Sequence, residues 1–224
     1  MNVRELLPAA LLAAHRRPSN QRPGTWYAIR DQAGEERARV DLYDAIGWDP
    51  TPAEFVRDLR DIDAPIIELH INSPGGFVFD GLTIFNALQD HPARVEATVD
   101  GIAASAASWI FQAGDTRTMN RHTQLFIHDG QMLTIGNEAD HLDSAATLGR
   151  ISNELAAIYA ERGAGTVADW RDAMRAETWY SAQEAVDAGL ADDLITDDDQ
   201  ADNHSDRARL VTARARAHNL ERVA

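Results

Sequence analysis

Apolar and polar positions along the centre of the chain follow two different periods. Short, largely apolar runs predict strands at residues 26–29, 39–43, 66–71, 95–99 and 124–127. Apolar positions at helical spacing predict helices between them, the longest of which covers residues 137–162. Because strands alternate with helices, the pattern predicts an α/β layered fold.

Capping signals mark where two of the predicted helices begin. Thr51 precedes Pro52, which suits the first turn of a helix, and Glu54 stands three residues after Thr51. Ser181 and Glu184 form a second capping box, in front of a helix that a glycine ends. The two signals therefore predict where two helices begin, one early and one late in the globular part of the sequence.

Both ends of the chain differ in composition from its centre. Residues 6–14 form a short apolar run like the core of a signal sequence, but no clear cleavage site follows, and a frayed or partner-docking amphipathic helix is the favoured interpretation. Residues 192–206 hold seven aspartates and residues 207–222 hold five arginines, which predicts a solvated tail, with a partner-binding peptide as the alternative. We therefore expect three parts, which are an N-terminal extension (1–24), one globular domain (25–195) and a flexible tail (196–224).

Two residue types are missing from all 224 positions, cysteine and lysine, so all 21 basic residues are arginine. Without cysteine there is no thiolate nucleophile, and without lysine there is no Schiff base, no Walker-type phosphate lysine and no Ser–Lys pair. No two histidines show the His-x-x-x-His spacing, so neither a metal nor a cofactor is expected. A side-chain nucleophile in this chain must therefore be an oxygen or an imidazole.

The charge and the length of the apolar runs restrict the partners. A net charge of −15 argues against a nucleic-acid partner, because phosphate groups repel an acidic surface. No apolar run approaches the ~20 residues that a membrane-spanning helix needs. We therefore expect a cytoplasmic protein.

Three segments could carry chemistry. The first, residues 101–108, enters a helix predicted over residues 103–111; its small side chains leave room for a substrate at Ser105, although a tightly packed Ala/Ser helix explains the same residues. The second, residues 72–76, follows a strand, and its two glycines suit an oxyanion-binding loop or an ordinary turn. The third is His128, at the end of an apolar strand, which suits a general base or a hydrogen-bonded structural histidine.

In this order and spacing, the segments resemble the Clp-type (caseinolytic) serine peptidases, and most closely their phage relatives that act as head maturation (prohead) proteases. The resemblance covers about residues 25–195. It is carried by four segments, at residues 71–76, 100–105, 127–129 and 176–185. It implies the spiral of ββα units that Clp peptidases share with crotonase-like enzymes, with a protruding handle helix at residues 137–162 through which two rings meet.

The resemblance implies a role for each matched residue. Ser105 corresponds to the nucleophile and His128 to the general base, while the N–H groups of Gly76 and Ala106 correspond to the oxyanion hole. Ser108, one helical turn after Ser105, is expected to support the packing. The edge strand expected to pair with an extended substrate consists of Gln131, Met132, Leu133, Thr134 and Ile135.

The third member of the catalytic triad departs from the family pattern. The position that the resemblance assigns to an aspartate is occupied here by Ala173. Asp172 is the first candidate and Glu177 the next, and a water or a backbone carbonyl could also orient His128. Asp129 is a poor candidate, because neighbouring residues at a strand end point in different directions.

The resemblance implies an ATP-independent serine endopeptidase of phage capsid maturation, which cuts scaffold or capsid proteins in the host cytoplasm or inside the procapsid. A homo-oligomeric ring or double ring is the expected assembly. The alternatives are a Clp-like proteolytic subunit that works with an AAA+ unfoldase and a non-catalytic ring subunit. An acyl-CoA hydratase or isomerase of the same spiral fold is a further alternative, although such enzymes need no Ser/His pair.

Overall fold

The computed structural model describes residues 25–31, 34–47 and 50–195, so the expectations for the N-terminal extension and the tail lie outside the described residues. Strands and helices alternate in this part of the chain, which confirms the predicted α/β class. The strands are β1 (Tyr27–Arg30), β2 (Arg37–Tyr43), β3 (Ile66–Ser73), β4 (Arg94–Ala104), β5 (Thr116–Asn120), β6 (Gln124–Phe126), β7 (Trp179–Ser181) and β8 (Asp193–Ile195). The helices are α1 (Pro52–Arg60), α2 (Val78–Gln89), α3 (Ala106–Phe111), α4 (Glu138–Arg162), α5 (Val167–Arg175) and α6 (Ala182–Asp187). None of these helices combines the length and the apolar character that a membrane span requires.

One mixed sheet organises the described strands. β1 is antiparallel to β2, the strands β2, β3, β4 and β5 run parallel, and β8 lies beside β5. β4 changes neighbours along its length, because its first part pairs with β3 and β5 and its end, from Ile102 to Ala104, pairs with β6. β7 is added to β6 in the antiparallel direction. β4 and β6 therefore end side by side.

The main core lies on one face of this sheet. Ile67, Leu69 and Ile71 alternate along β3 and are fully buried there, as a strand period of two requires. The helices α1, α2 and α3 contribute Phe55, Leu59, Ile84, Leu88, Trp109 and Ile110 to the same core. The opposite face of the sheet carries half-buried polar groups, such as His70, whose Nδ1 lies 2.9 Å from Asp100 Oδ2.

The long helix α4 is buried only in its C-terminal half. Its buried residues are Ser152, Leu155, Ala156 and Tyr159. No side chain between residues 138 and 149 is buried, and Leu142 is 64% exposed. Asn137 and Asp140 cap the exposed end reciprocally. α4 thus corresponds to the handle helix that the resemblance implies.

The helix predicted over residues 103–111 begins later than expected. β4 continues through Ala104, and α3 begins only at Ala106. The reason is tertiary: the backbone from Ile102 to Ala104 pairs with β6, and no local signal in a run of small residues reveals that partner. Ser105 is therefore the residue that joins strand to helix.

Candidate active site

Ser105 stands at a sharp turn between β4 and α3. Its φ of 52° and ψ of −124° lie outside the regions that side-chain-bearing residues normally adopt. Its N–H donates a hydrogen bond to the Phe126 carbonyl over 2.9 Å, so β6 holds the turn in place. Strained backbone at a residue of this kind persists only when its surroundings enforce it, and it occurs most often at functional sites.

His128 lies next to Ser105 because it follows the strand that pairs with the end of β4. The imidazole Nε2 is 2.8 Å from Ser105 Oγ, which is hydrogen-bond distance. Burial lowers the pKa of the imidazole below its ordinary value; a hydrogen bond to the Asp129 backbone and the charges of Glu177 and Asp129 offset this only in part. The lowered pKa favours the neutral imidazole, the form that can accept the Ser105 proton.

The loop at residues 72–76 presses its backbone against Ser105. Gly75 has a φ of +93°, and a Cβ placed on it would lie 2.6 Å from Ser105 Cβ and 2.7 Å from the Ala106 nitrogen. Ser73 fixes the loop, since its Oγ donates to the Asp44 carbonyl over 2.7 Å and accepts from the Gly75 N–H over 3.1 Å. Only glycine fits at position 75, both for its backbone angle and for its contact with the serine turn.

Two backbone N–H groups beside Ser105 have no hydrogen-bond acceptor in the part of the chain that the structure describes. They belong to Gly76 and Ala106, the residues that the resemblance assigns to the oxyanion hole. Ala106 is the first residue of α3, where an N–H has no intrahelical acceptor. Both groups can therefore donate to an oxygen on a bound carbonyl.

The carboxylates considered for the third position differ in their surroundings. The Asp172 side chain is 76% exposed and pairs with Arg175 at 2.9 Å, so the structure does not bring it to His128. Asp129 turns to Arg171, with which it forms an ion pair. Glu177 is exposed, and its charge, like that of Asp129, acts on the His128 imidazole.

The pairing of β6 with β7 brings the segment that holds Glu177 toward His128. β6 and β7 pair Phe126 with Trp179, and the Ile127 N–H donates to the Thr178 carbonyl over 3.0 Å. Counted on from this antiparallel pairing, position 128 comes opposite position 177, although Glu177 itself lies in the turn before β7, with a φ of 51°. Asp172 lies before this strand, on α5, and has no such register with His128.

A buried hydrogen-bond chain connects the serine turn to α4. Ser108 Oγ donates to the Ser105 carbonyl over 2.6 Å and lies 2.6 Å from the Tyr159 hydroxyl, which can then donate to it. The supporting role predicted for Ser108 agrees with these contacts. Tyr159 and the Arg171–Asp129 pair were not predicted, because each links the site to a helix distant in sequence.

The residues predicted as the substrate strand make no hydrogen bonds to the described residues. They are not a strand within the described chain, since no neighbouring backbone pairs with them. Three of their side chains are strongly exposed, namely Met132, Leu133 and Ile135. Their free backbone groups remain available to an extended peptide, and the substrate role stays a prediction.

Comparison with protein families matches residues 54–198 to the Clp protease family. Among curated proteins, the chain is 34% identical over 133 residues to an ATP-dependent Clp protease proteolytic subunit of Bacteroides fragilis, covering 58% of this chain and 63% of the relative. It is 30% identical over 131 residues to the subunit of the same name from Chlorella vulgaris, covering 58% of this chain and 65% of the relative. It is also 28% identical over 188 residues to an ATP-dependent Clp protease proteolytic subunit from Pleurastrum terricola, and the match covers 94% of that relative. The chain thus spans less than two thirds of the first two relatives.

Proposed function

The chain belongs to the Clp protease family, and we propose that it is a serine endopeptidase with Ser105 as nucleophile and His128 as general base. One observation carries the proposal: His128 Nε2 lies 2.8 Å from Ser105 Oγ, at a strained turn flanked by two backbone N–H groups that have no acceptor among the described residues. Nucleophile, base and oxyanion donors are the parts that acyl transfer to a serine requires.

In the proposed reaction, Ser105 Oγ attacks the carbonyl carbon of the scissile peptide bond while His128 Nε2 takes its proton. The carbonyl oxygen becomes an oxyanion that accepts hydrogen bonds from the N–H groups of Gly76 and Ala106. The C–N bond then breaks, and His128 gives the proton to the leaving amine. A water molecule repeats the sequence on the acyl-serine and releases the acid product.

Glu177 is the carboxylate that we propose for orienting His128, in preference to Asp172. The β6–β7 pairing and the charge that acts on the imidazole support Glu177, while Asp172 pairs with Arg175 and is not among the charges that act on the imidazole. A carboxylate in this position holds the imidazole in the correct tautomer and stabilises the imidazolium that forms during the reaction.

We propose that the chain is a Clp-type proteolytic subunit. Copies of it would assemble into a homo-oligomeric ring or double ring. The relatives reported above carry "ATP-dependent" in their names, which favours this arrangement over an ATP-independent one. These 224 residues contain no lysine and therefore no Walker-type phosphate lysine, so in this proposal the unfoldase supplies the ATP hydrolysis.

A role in phage head maturation is the second candidate. It rests on the resemblance of three segments to the phage branch, at residues 100–101, 128–129 and 176–179. Portal and major-capsid genes beside the gene for this chain, and cleavage of a co-expressed scaffold protein, would favour it. Degradation that depends on a co-expressed unfoldase would favour the Clp-type subunit instead.

A fluorophosphonate probe tests the peptidase proposal directly, because it reacts with activated serines. The wild-type protein is expected to be labelled, and the Ser105→Ala and His128→Ala variants are not. Ser144→Ala is the matched control, since Ser144 lies on the exposed part of α4 and its hydroxyl bonds only to the Asp140 carbonyl. Labelling of Ser105→Ala at the wild-type rate would overturn the proposal.

A further inference from the structure

A small apolar cluster lies apart from the main core, beside His128. It consists of Ile102, Ala104 and Phe126, all nearly or fully buried. Residues 102 and 104 of β4 and residue 126 of β6 project from the face of the sheet opposite the main core, because their neighbours Ala103, Leu125 and Ile127 project into it. The cluster therefore borders the candidate site and not the interior of the domain.

Aromatic rings form a row that begins at His128. The Phe126 and His128 rings stack with centroids 5.3 Å apart and planes at 20°. On its other side Phe126 meets Trp179, with centroids 4.5 Å apart and planes at 32°. Phe126 is 6% exposed, whereas Trp179 is 46% exposed, so the row ends in an indole that is open to solvent.

Strand pairing fixes Trp179 in this position. Trp179 is directly opposite Phe126 in the β6–β7 ladder, and β7 pairs with no other described strand. Glu177 precedes Trp179 by two residues, in the turn before β7, and its charge acts on the His128 imidazole. This turn and the short strand after it thus contribute a charge that acts on the imidazole and an exposed aromatic surface near it.

We propose that Trp179 is a specificity-determining residue, whose exposed indole face binds an apolar side chain of the peptide substrate close to the scissile bond. This inference rests on the proposed peptidase function. A large exposed aromatic ring that is continuous with a reaction site gives an apolar side chain a rigid surface to bury, at little cost in conformational entropy. A polar or very small side chain gains little from the same surface.

The test compares the wild type with Trp179→Ala and Trp179→Phe on a series of internally quenched peptides. Each peptide places leucine, phenylalanine, alanine or asparagine at one position flanking the scissile bond. The preference of the wild type for leucine or phenylalanine over asparagine, in kcat/KM, is expected to fall roughly tenfold at one position in Trp179→Ala and to be largely kept in Trp179→Phe. Val167→Ala is the control, because Val167 is also an exposed apolar residue but lies on α5.

Two further readouts distinguish substrate recognition by Trp179 from a role in positioning His128 and from a role in subunit contacts. The rate of fluorophosphonate labelling should stay near the wild-type rate in Trp179→Ala, since the small probe carries no peptide side chain. A loss of labelling as large as the loss of kcat/KM would mean that Trp179 only positions His128, and it would overturn the proposal. The mass of the assembly should also be unchanged; an altered mass with an unchanged preference would identify Trp179 as a subunit contact and would equally overturn it.

Peptide binding in a Ser105→Ala background makes the result independent of turnover. Fluorescence anisotropy should show that the leucine peptide binds more weakly when Trp179 is replaced by alanine. If the two proteins bind the leucine peptides equally well, whichever flanking position holds the leucine, the inference is overturned. Absence of Ser105-dependent labelling in the wild type would instead overturn the proposed peptidase function, and the binding measurement would still decide the role of Trp179.

Discussion

At the residue scale, Ser105 combines backbone strain with tight local support. A positive φ on a residue other than glycine costs of order 1–3 kcal/mol, which the surrounding contacts must offset. The Phe126 carbonyl accepts from the Ser105 N–H, and Ser108 donates to the Ser105 carbonyl. Both backbone polar groups of the strained residue are thus occupied, and the turn aims its hydroxyl at His128.

The pH dependence of activity should report the His128 pKa. The neutral imidazole is the base, so kcat/KM is expected to fall as the pH drops through the pKa of this group. Because burial lowers that pKa, the acid limb of the profile should have its midpoint below the ordinary histidine value of about 6.5. A profile of kcat/KM against pH for a neutral peptide checks this; a midpoint above that value would show that the neighbouring carboxylates outweigh burial.

Replacing Glu177 should affect turnover far more than replacing Asp172. Glu177→Gln removes the charge that stabilises the imidazolium, and kcat is expected to fall by roughly 10³–10⁴-fold. The acid limb should also move to lower pH, because a charge that raises the His128 pKa is lost. Asp172→Asn is the matched control and should stay within about twofold of the wild type, since Asp172 pairs with Arg175 and its charge is not among those that act on the His128 imidazole. The reverse result would restore Asp172 as the orienting residue.

At the scale of secondary structure, two strand pairings and one loop assemble the candidate site. β4 and β6 run parallel and end together, which brings Ser105 to His128. β7 joins β6 and sets Trp179 against Phe126, and the turn before β7 holds Glu177. The loop after β3 then packs its Gly75 backbone against the serine turn. Each chemical group of the site is thus positioned by a strand end, and β6 is the element they share.

Gly75→Ala is expected to abolish fluorophosphonate labelling, because the new Cβ would collide with Ser105 and with the backbone of Ala106. Gly34→Ala is a matched control, since Gly34 has a similar φ of +87° but nothing within 4 Å of the added Cβ. The control should lose only about 1–2 kcal/mol of stability, from the backbone strain, and keep its labelling. Labelling rates and thermal unfolding of both variants test this; normal labelling of Gly75→Ala would contradict the described contact.

At the scale of the whole molecule, much apolar surface is left uncovered by the described chain. Four apolar side chains are strongly exposed: Met132 (46%), Leu133 (69%), Ile135 (92%) and Leu142 (64%). These residues lie in the segment after His128 and on the exposed half of α4. Contiguous exposed apolar residues are common where a protein meets a partner, which agrees with the proposed ring assembly.

A charge in this surface should weaken assembly without unfolding the subunit. Leu142→Glu is expected to lower the mass measured by light scattering on a sizing column, while the thermal unfolding of the subunit stays nearly unchanged, because Leu142 is exposed in the single chain. Val167→Glu, at an exposed apolar position on α5, serves as the control. An unchanged mass for Leu142→Glu would place the assembly contacts elsewhere.

Local sequence signals predicted much of this molecule correctly. The capping boxes at Thr51 and Ser181 start α1 and α6 at the expected residues, and the strand predicted from the apolar run at residues 66–71 lies within β3. Caps and periodicity involve groups a few residues apart, so the sequence alone determines them. The α/β class was also predicted from the sequence. Ser105 and His128 were named as candidates because their segments occur in the order typical of Clp-type peptidases.

Contacts between distant segments decided the rest. The end of β4, the charges that act on His128 and the aromatic row at Trp179 all depend on how β6 pairs with β4 and β7. Pairing and register arise from the burial of whole strands against a shared core, and a shift of one residue would turn every side chain to the other face. The sequence therefore determined which residues could carry the chemistry, whereas only the tertiary structure decided which of them meet.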